Sequence, residues 1–255
     1  MPLSSDRPYT TVVLAMSVDG KIADAQRSPA RFSSLQDKLH LERQIAAADA
    51  VLFGAGTLRA YGTTLRVSQP QLVQQRHEQN LAPQPVHIVA SCQGNIDRQL
   101  RFFRQSVPRW LLTTTTGAKQ WQDKEFFEQV VVCETADATG IDWTCAMAKI
   151  ASMGLSRLAV LGGGEVVAAM LAADLIDELW LTICPVLLGG NTAPTPVDGT
   201  GFAAIAAPRL ELLSVRAIAQ EVFLHYRRQN WDDLITLVEV ALLEVRFFYG
   251  QVDSA

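Results

Sequence analysis

Short apolar runs rich in β-branched residues alternate along the chain with longer segments whose apolar residues recur at helical spacing. The runs "YTTVVLAMSVDG" (9–20), "AVLFGAGT" (50–57) and "RLAVLGGG" (157–164) have the composition of buried strands and contain glycine at or near their ends. The segments "SSLQDKLHLERQIAAADA" (33–50) and "EVVAAMLAADL" (165–175) have the periodicity of helices. This alternation predicts an α/β fold, in which helices flank a mostly parallel central sheet.

Two later stretches complete the predicted order of elements. The segment "DELWLTICPVLLGG" (177–190) is predicted to be one long strand. The segment "PRLELLSVRAIAQEVFLHYRR" (208–228) predicts an antiparallel hairpin that turns near residues 216–220, which makes the sheet mixed. Ser33 or Ser34 can supply the N-cap of the first predicted helix.

The chain is predicted to form one domain over residues 1–228, followed by a C-terminal extension over residues 229–255. Apolar residues of the extension recur at helical spacing, so we predict a helix there. Three roles are open for it: docking on the domain, contact with a second copy or another partner, or no function.

Composition excludes several classes of function. The net charge of −4 and the lack of a basic stripe argue against nucleic acid or an anionic membrane as the main partner. No run of 18 apolar residues exists and residues 1–8 are mostly polar, so we expect no membrane span and a cytoplasmic protein. The four cysteines lack the close spacing of zinc ligands, and we expect no metal site.

Two glycine turns follow predicted strands and precede predicted helices. The first contains Gly54, Gly56 and Thr57, with Thr57 a candidate N-cap, and the second is Gly162 to Gly164. Such glycines either serve local geometry or let backbone N–H groups approach phosphate oxygens at a helix start. Glu165 would repel a triphosphate, so a dinucleotide pyrophosphate fits the second turn better.

Two other loops carry candidate ligand groups. In "SVDGK" (17–21), Asp19 either forms a plain Asp-Gly turn or offers a carboxylate to a cleft. In "TTTT" (113–116), threonine hydroxyl and N–H groups, with Lys119 nearby, either hold a phosphate or simply end a strand. No nucleophile elbow or HExxH motif is present, which leaves hydride chemistry on a bound cofactor.

Taken in order, "SVDGKIA", "DAVLFGAGTL" and "LAVLGGGEVVAAMLAADLIDELWLTICPVLLGG" resemble the pyrimidine reductase family of riboflavin biosynthesis over about residues 8–228. The resemblance implies a dihydrofolate-reductase-like fold, a homodimer and NADPH as cofactor. It implies reduction of the ribose of a phosphorylated pyrimidine, a phosphoribosylaminopyrimidine, to a ribityl chain by hydride transfer to C1′.

The resemblance also implies roles for individual residues. Asp19 would be catalytic beside the reacting sugar. The substrate would contact Ser17, Asp19, Leu65 and Arg66. Residues expected to hold the cofactor come from both glycine turns, the helix start after the second turn and the threonine loop: Gly54, Gly56, Thr57, Thr114, Thr115, Gly162, Gly163, Gly164, Glu165 and Val166.

The chain departs from the family pattern on the substrate side. Gly162 stands where the family commonly has glutamate, Tyr61 where it has aspartate, Thr63 where it has proline and Ser68 where it has arginine. These departures keep two alternatives open. One is an NADPH reductase of the same fold that acts on another heterocycle such as a pterin, and the other is a non-catalytic binding protein.

Overall fold

The computed structural model describes residues 6–30, 32–121 and 125–229 of the chain. Nine strands in this part form one sheet in the order β5-β4-β3-β2-β6-β1-β7-β9-β8. Six neighbouring pairs are parallel, and β9 runs antiparallel to both β7 and β8. The strands are β1 Tyr9–Ser17, β2 Ala50–Gly54, β3 Val86–Ala90, β4 Arg109–Thr113, β5 Gln129–Val132, β6 Arg157–Val160, β7 Glu178–Cys184, β8 Leu210–Ile218 and β9 Glu221–Arg228.

Helices connect the parallel strands, as the alternating pattern predicts. They are α1 Leu35–Ala47, α2 Ala55–Tyr61, α3 Pro70–Glu78, α4 Thr115–Ala118, α5 Trp143–Ser152 and α6 Gly164–Ala172, with a 3₁₀ helix at Arg101–Arg104. The side chain of Ser34 accepts hydrogen bonds from the N–H groups of Gln36 and Asp37, so the predicted cap of α1 is confirmed.

Alternate residues of the central strands face two separate cores, because successive side chains in a strand point to opposite faces. Leu52 and Ile88 pack on one face with Met147 of α5 and Met170 of α6. Their neighbours face the opposite core, which includes side chains from α1, α2, α3 and the 3₁₀ helix: Val51, Phe53, Val89, Ile45, Leu58, Leu72 and Phe102. The α/β architecture, with its mixed and mostly parallel sheet, is therefore confirmed.

Two local predictions are wrong. The strand predicted over residues 177–190 ends at Cys184, because Pro185 has no N–H to donate and the chain turns away after it. Thr57 does not cap a helix: α2 begins at Ala55, its N-cap is Gly54, and Thr57 lies inside its first turn. The hairpin turn lies between Ile218 and Glu221, within the predicted range.

The predicted helix of the C-terminal extension lies outside the described residues, except for Gln229 at its start. Within the described part, no helix has the length and apolar character that crossing a membrane requires. The antiparallel hairpin β8–β9 extends the sheet beyond β7, on the side of β1 away from β2.

Candidate functional site

The two glycine turns lie side by side at one edge of the sheet. They follow β2 and β6, which are adjacent and parallel, so their carboxyl ends meet at the same edge. Both turns line a cavity of about 1310 Å³, together with residues from β1 and the end of β3, whereas the predicted Ser17 and Asp19 are not part of its lining. The structure thus brings the two predicted cofactor turns together at one cavity.

A hydrogen bond joins the two turns directly. The N–H of Gly54 donates to the carbonyl oxygen of Gly162 at 2.9 Å. A Cβ on Gly54 would lie 3.1 Å from Cγ2 of Val166, and Gly162 has a φ of +94°, which few other residues adopt. Gly162 is thus required by its backbone conformation, and a side chain on Gly54 would press against Val166.

The start of α6 presents unpaired backbone donors. Within the described residues, the N–H groups of Gly163, Gly164 and Glu165 have no hydrogen-bond acceptor, and no side chain caps the helix. The macrodipole adds partial positive charge at this point. An anion such as a pyrophosphate can accept from these groups, so the arrangement fits a dinucleotide.

The glycines of the second turn have different surroundings. A Cβ on Gly163 would meet only Oγ1 of Thr57, at 3.5 Å, which is an ordinary contact. A Cβ on Gly164 would lie 2.6 Å from Oδ2 of Asp198 and would also collide with the backbone of Thr195. Gly164 is therefore required by packing, whereas the absence of a side chain at Gly163 keeps space open beside the cavity.

The threonine loop does not reach the cavity wall. Thr114 is buried, and its hydroxyl donates to the carbonyl oxygen of Cys92 at 2.7 Å. Its Oγ1 also accepts from the N–H of Gly117, as the N-cap of α4. Thr115 is exposed, and its hydroxyl donates to Glu134. The structure thus does not bring Thr114 and Thr115 together with the glycine turns.

Asp19 lies at the carboxyl end of β1, next to the loop after β7. Its carboxylate accepts from the Ser17 hydroxyl at 2.6 Å and from the N–H groups of Gly189 at 2.7 Å and Leu188 at 3.1 Å. These hydrogen bonds, the one from Ser17 above all, lower the pKa of Asp19 to about 2. The carboxylate is therefore ionised at neutral pH, and Ser17 itself is buried.

The substrate-side residues predicted after α2 are divided between two cavities. Leu65 and Tyr61 line the large cavity, and the Tyr61 hydroxyl donates to the carbonyl oxygen of Ala30 at 3.2 Å. Arg66 lines a neighbouring cavity instead, and Thr63 lines both. Ser68 donates through its N–H and hydroxyl to the buried Glu42 and so has a structural role.

Five charged residues on the wall of the large cavity are not among the site residues predicted from the sequence: Arg27, Asp37, Lys38, Arg59 and Asp198. Asp37 is 7% exposed, and burial raises its pKa, although hydrogen bonds with Thr182 and Ser33 oppose the shift. Asp37 precedes Leu41 by four residues and Ile45 by eight, which places it on the apolar face of α1. This spacing is the feature of the sequence from which its burial could have been predicted. Arg59 of α2 lies beside Gly56 and donates to the carbonyl oxygen of Asn95.

Solved structures share this fold. A pyrimidine reductase-like protein from Corynebacterium diphtheriae superimposes with a TM-score of 0.74 at 19% identity, covering 90% of this chain and 96% of that one. The Saccharomyces cerevisiae riboflavin biosynthesis reductase Rib7 gives a TM-score of 0.64 at 17% identity, covering 88% and 90%.

Sequence relatives extend over most of the chain. The 2,5-diamino-6-ribosylamino-4(3H)-pyrimidinone 5′-phosphate reductase of Archaeoglobus fulgidus is 28% identical, covering 77% of this chain and 89% of the relative. The reductase of the same name from Methanothermobacter thermautotrophicus is 27% identical, covering 86% and 98%. The riboflavin biosynthesis protein RibD of Escherichia coli is 26% identical, covering 86% of this chain and 59% of that protein.

The family model of the RibD C-terminal domain matches residues 8–224, which is most of the described part of the chain. The chain therefore belongs to the RibD C-terminal domain family, the NAD(P)H-dependent pyrimidine reductases of riboflavin biosynthesis.

Proposed function

We propose that this chain uses NADPH to reduce the ribose of a phosphoribosylaminopyrimidine to a ribityl chain, as a 5-amino-6-(5-phosphoribosylamino)uracil reductase does. The proposal rests on one observation: the two glycine turns are joined by a hydrogen bond, and both line one cavity of about 1310 Å³. A cavity of this size accommodates a dinucleotide with a small second ligand. The names of the archaeal relatives support a phosphorylated ribosylaminopyrimidine as the substrate class.

The cofactor side of the proposal rests on the chain's own backbone. When bound, NADPH supplies the hydride for the reduction. The unpaired N–H groups at the start of α6 hold the pyrophosphate, and Gly56 leaves room for it. Arg59 supplies an exposed cation next to Gly56, which supports NADPH over NADH because the 2′-phosphate is an additional anion. Thr114 and Thr115 have no part in this arrangement.

The substrate side requires a proton as well as the hydride. Burial favours the protonated form of Asp37, which makes its carboxyl group our candidate proton source on the cavity wall. Asp19 is ionised at neutral pH, so it accepts hydrogen bonds and is not the proton source, and its catalytic role beside the reacting sugar stays a prediction. Leu65 supplies apolar surface for the pyrimidine.

The decisive experiment compares substrates in one assay of NADPH oxidation. We expect turnover with the deaminated pyrimidine phosphoribosylamine, with its undeaminated precursor tested in parallel to fix the substrate variant. A dihydropterin is the third substrate, because Tyr61 lines the wall at the position where the family has an acidic residue. Turnover with the pterin alone contradicts the pyrimidine proposal. If calorimetry detects no binding of NADPH, both reductase proposals fail.

The variant Asp19→Asn tests the predicted role of Asp19, which does not itself line the large cavity. Asparagine removes the charge that holds the N–H groups of Leu188 and Gly189, so we expect kcat to fall by about tenfold or more. The Kd for NADPH should change by less than about twofold, because the glycine turns follow β2 and β6 rather than β1. Stopped-flow turnover and cofactor titration measure the two quantities.

Asp97→Asn is the matched control for Asp19→Asn. Its carboxylate also accepts a backbone N–H, that of Gln99, and neither of these two residues lines the large cavity. We expect both kcat and the Kd for NADPH to remain near wild type. Equal losses of turnover and cofactor affinity in Asp19→Asn would remove Asp19 from the substrate end.

A further inference from the structure

A second cavity, of about 470 Å³, lies next to the large one and is strongly basic. Its wall carries three guanidinium groups and no carboxylate among the described residues. The lining residues are Thr63, Arg66, Arg101, Arg104, Gln105 and Ser106. Thr63 also lines the large cavity, so the loop after α2 separates the two spaces. We call this second space the arginine cavity.

The fold brings the three arginines together from two segments. Arg101 and Arg104 lie one turn apart in the 3₁₀ helix, where side chains three residues apart point the same way. Phe102, fully buried, anchors that helix, and its N–H donates to the carbonyl oxygen of Gly62 at 3.0 Å. Arg66 comes from the loop that begins at Gly62, so this hydrogen bond holds the 3₁₀ helix next to the loop that carries Arg66.

The side chain of Gln105 forms further hydrogen bonds with the loop that carries Arg66. Its Oε1 accepts from the Thr63 hydroxyl at 2.8 Å and from the N–H of Thr64 at 3.1 Å. Its Nε2 donates to the carbonyl oxygen of Thr64 at 2.9 Å. The wall of the arginine cavity is therefore set by hydrogen bonds that do not use any of the three guanidinium groups.

The guanidinium groups themselves have no partner. Over residues 6–30, 32–121 and 125–229, none of Arg66, Arg101 and Arg104 forms a hydrogen bond or an ion pair. The three arginines are exposed, so water solvates their charges and their N–H donors are available to an anion from solution.

We propose that the arginine cavity binds a phosphate monoester. Guanidinium groups donate paired N–H bonds to phosphate oxygens, and the exposed hydroxyl of Ser106 adds a further donor. Two sources supply this chemistry. One is the phosphate of the reductase substrate, reached past Thr63, and this assignment rests on the proposed function. The other is a separate phosphorylated metabolite.

Titration of the full chain with inorganic phosphate tests the site without any turnover. At constant ionic strength set with chloride, we expect wild type to bind phosphate, and Arg101→Gln/Arg104→Gln to bind at least about tenfold more weakly. The matched control, Arg43→Gln/Arg157→Gln, removes the same charge from exposed positions outside the cavity and should bind like wild type. Arg66→Gln gives an independent variant if the double variant melts early.

A kinetic experiment then identifies which phosphate monoester occupies the arginine cavity. If the substrate phosphate occupies the cavity, the double variant raises KM for the phosphorylated substrate by at least about tenfold, and KM for its dephosphorylated form stays unchanged. If a separate metabolite binds there, phosphate binding is lost but KM for both forms stays at wild type. The proposal is overturned if wild type binds no phosphate, or if the control variant binds phosphate as weakly as the double variant does. Either result stands whether or not the chain reduces a pyrimidine.

Discussion

Replacing Gly163 with leucine is expected to weaken NADPH binding by about 100-fold or more while leaving the fold intact. The backbone at Gly163 has a φ of −74° and a ψ of −179°, which any L-residue adopts. Its Cβ would make only an ordinary contact with Thr57, but the rest of the side chain would fill the space between the two glycine turns. Calorimetric titration and a thermal melt measure the two effects.

Gly164→Ala is the contrasting variant one residue along the chain. Its added methyl group collides with the loop at Thr195 and Asp198, so we expect a loss of about 1–3 kcal/mol in the free energy of unfolding. The two variants therefore separate a glycine that leaves room for a ligand from a glycine that packing demands. Normal NADPH binding by Gly163→Leu would show that the turn serves the fold alone.

Mild acid is expected to destabilise the protein through a buried histidine. His87 on β3 is fully buried, and burial lowers its pKa to about 3, with Arg109 and Arg76 contributing. Its Nδ1 lies 3.1 Å from the Thr64 hydroxyl, and its Nε2 has no partner in the described part of the chain. A second N–H on the ring would thus be buried with no acceptor for it.

The sign of the pH dependence follows from the lowered pKa. Between about pH 6.5 and pH 3 the unfolded chain binds a proton at His87 and the folded chain does not, so stability falls as pH falls. From pH 7 to pH 4.5 the expected loss is about 2–3 kcal/mol from this residue. His40, which packs against Trp180, adds to the trend because burial lowers its pKa to about 4.

Urea unfolding at the two pH values measures this loss. His87→Gln keeps a polar group for Thr64 but cannot take up a proton, so its stability should depend less on pH than that of wild type. His77→Gln, on the exposed side of α3, is the control and should keep the wild-type dependence. An unchanged pH dependence in His87→Gln would contradict the assignment.

The sequence predicted what local pattern and sheet periodicity determine. Alternation of strand and helix implied parallel order, and parallel order implied that the loops at Gly54 and Gly162 face the same edge. The cap at Ser34 follows from a hydroxyl directly before an apolar repeat. These features depend on residues that are close in the chain.

Contacts between residues that are far apart in the chain were not predicted from the sequence. Asp19 is held by N–H groups about 170 positions away, and the Thr114 hydroxyl donates to the carbonyl oxygen of Cys92 in the loop after β3. The convergence of Arg66 with Arg101 and Arg104 depends on how Gln105 binds the loop at Thr63, which no spacing reveals. The roles of Asp19 and the cofactor residues stay predictions that the variants above test.

The start of β1 and the end of β9 lie at the edge of the sheet opposite the glycine turns. Tyr9, where β1 starts, pairs with Arg157 at the start of β6, and Arg227 near the end of β9 pairs with Glu178 at the start of β7. A tether fixed at either point, whether an affinity tag, a bead or a fused enzyme, therefore leaves the mouth of the cleft clear. The domain is accordingly suited to attachment at the start of β1 or at the end of β9.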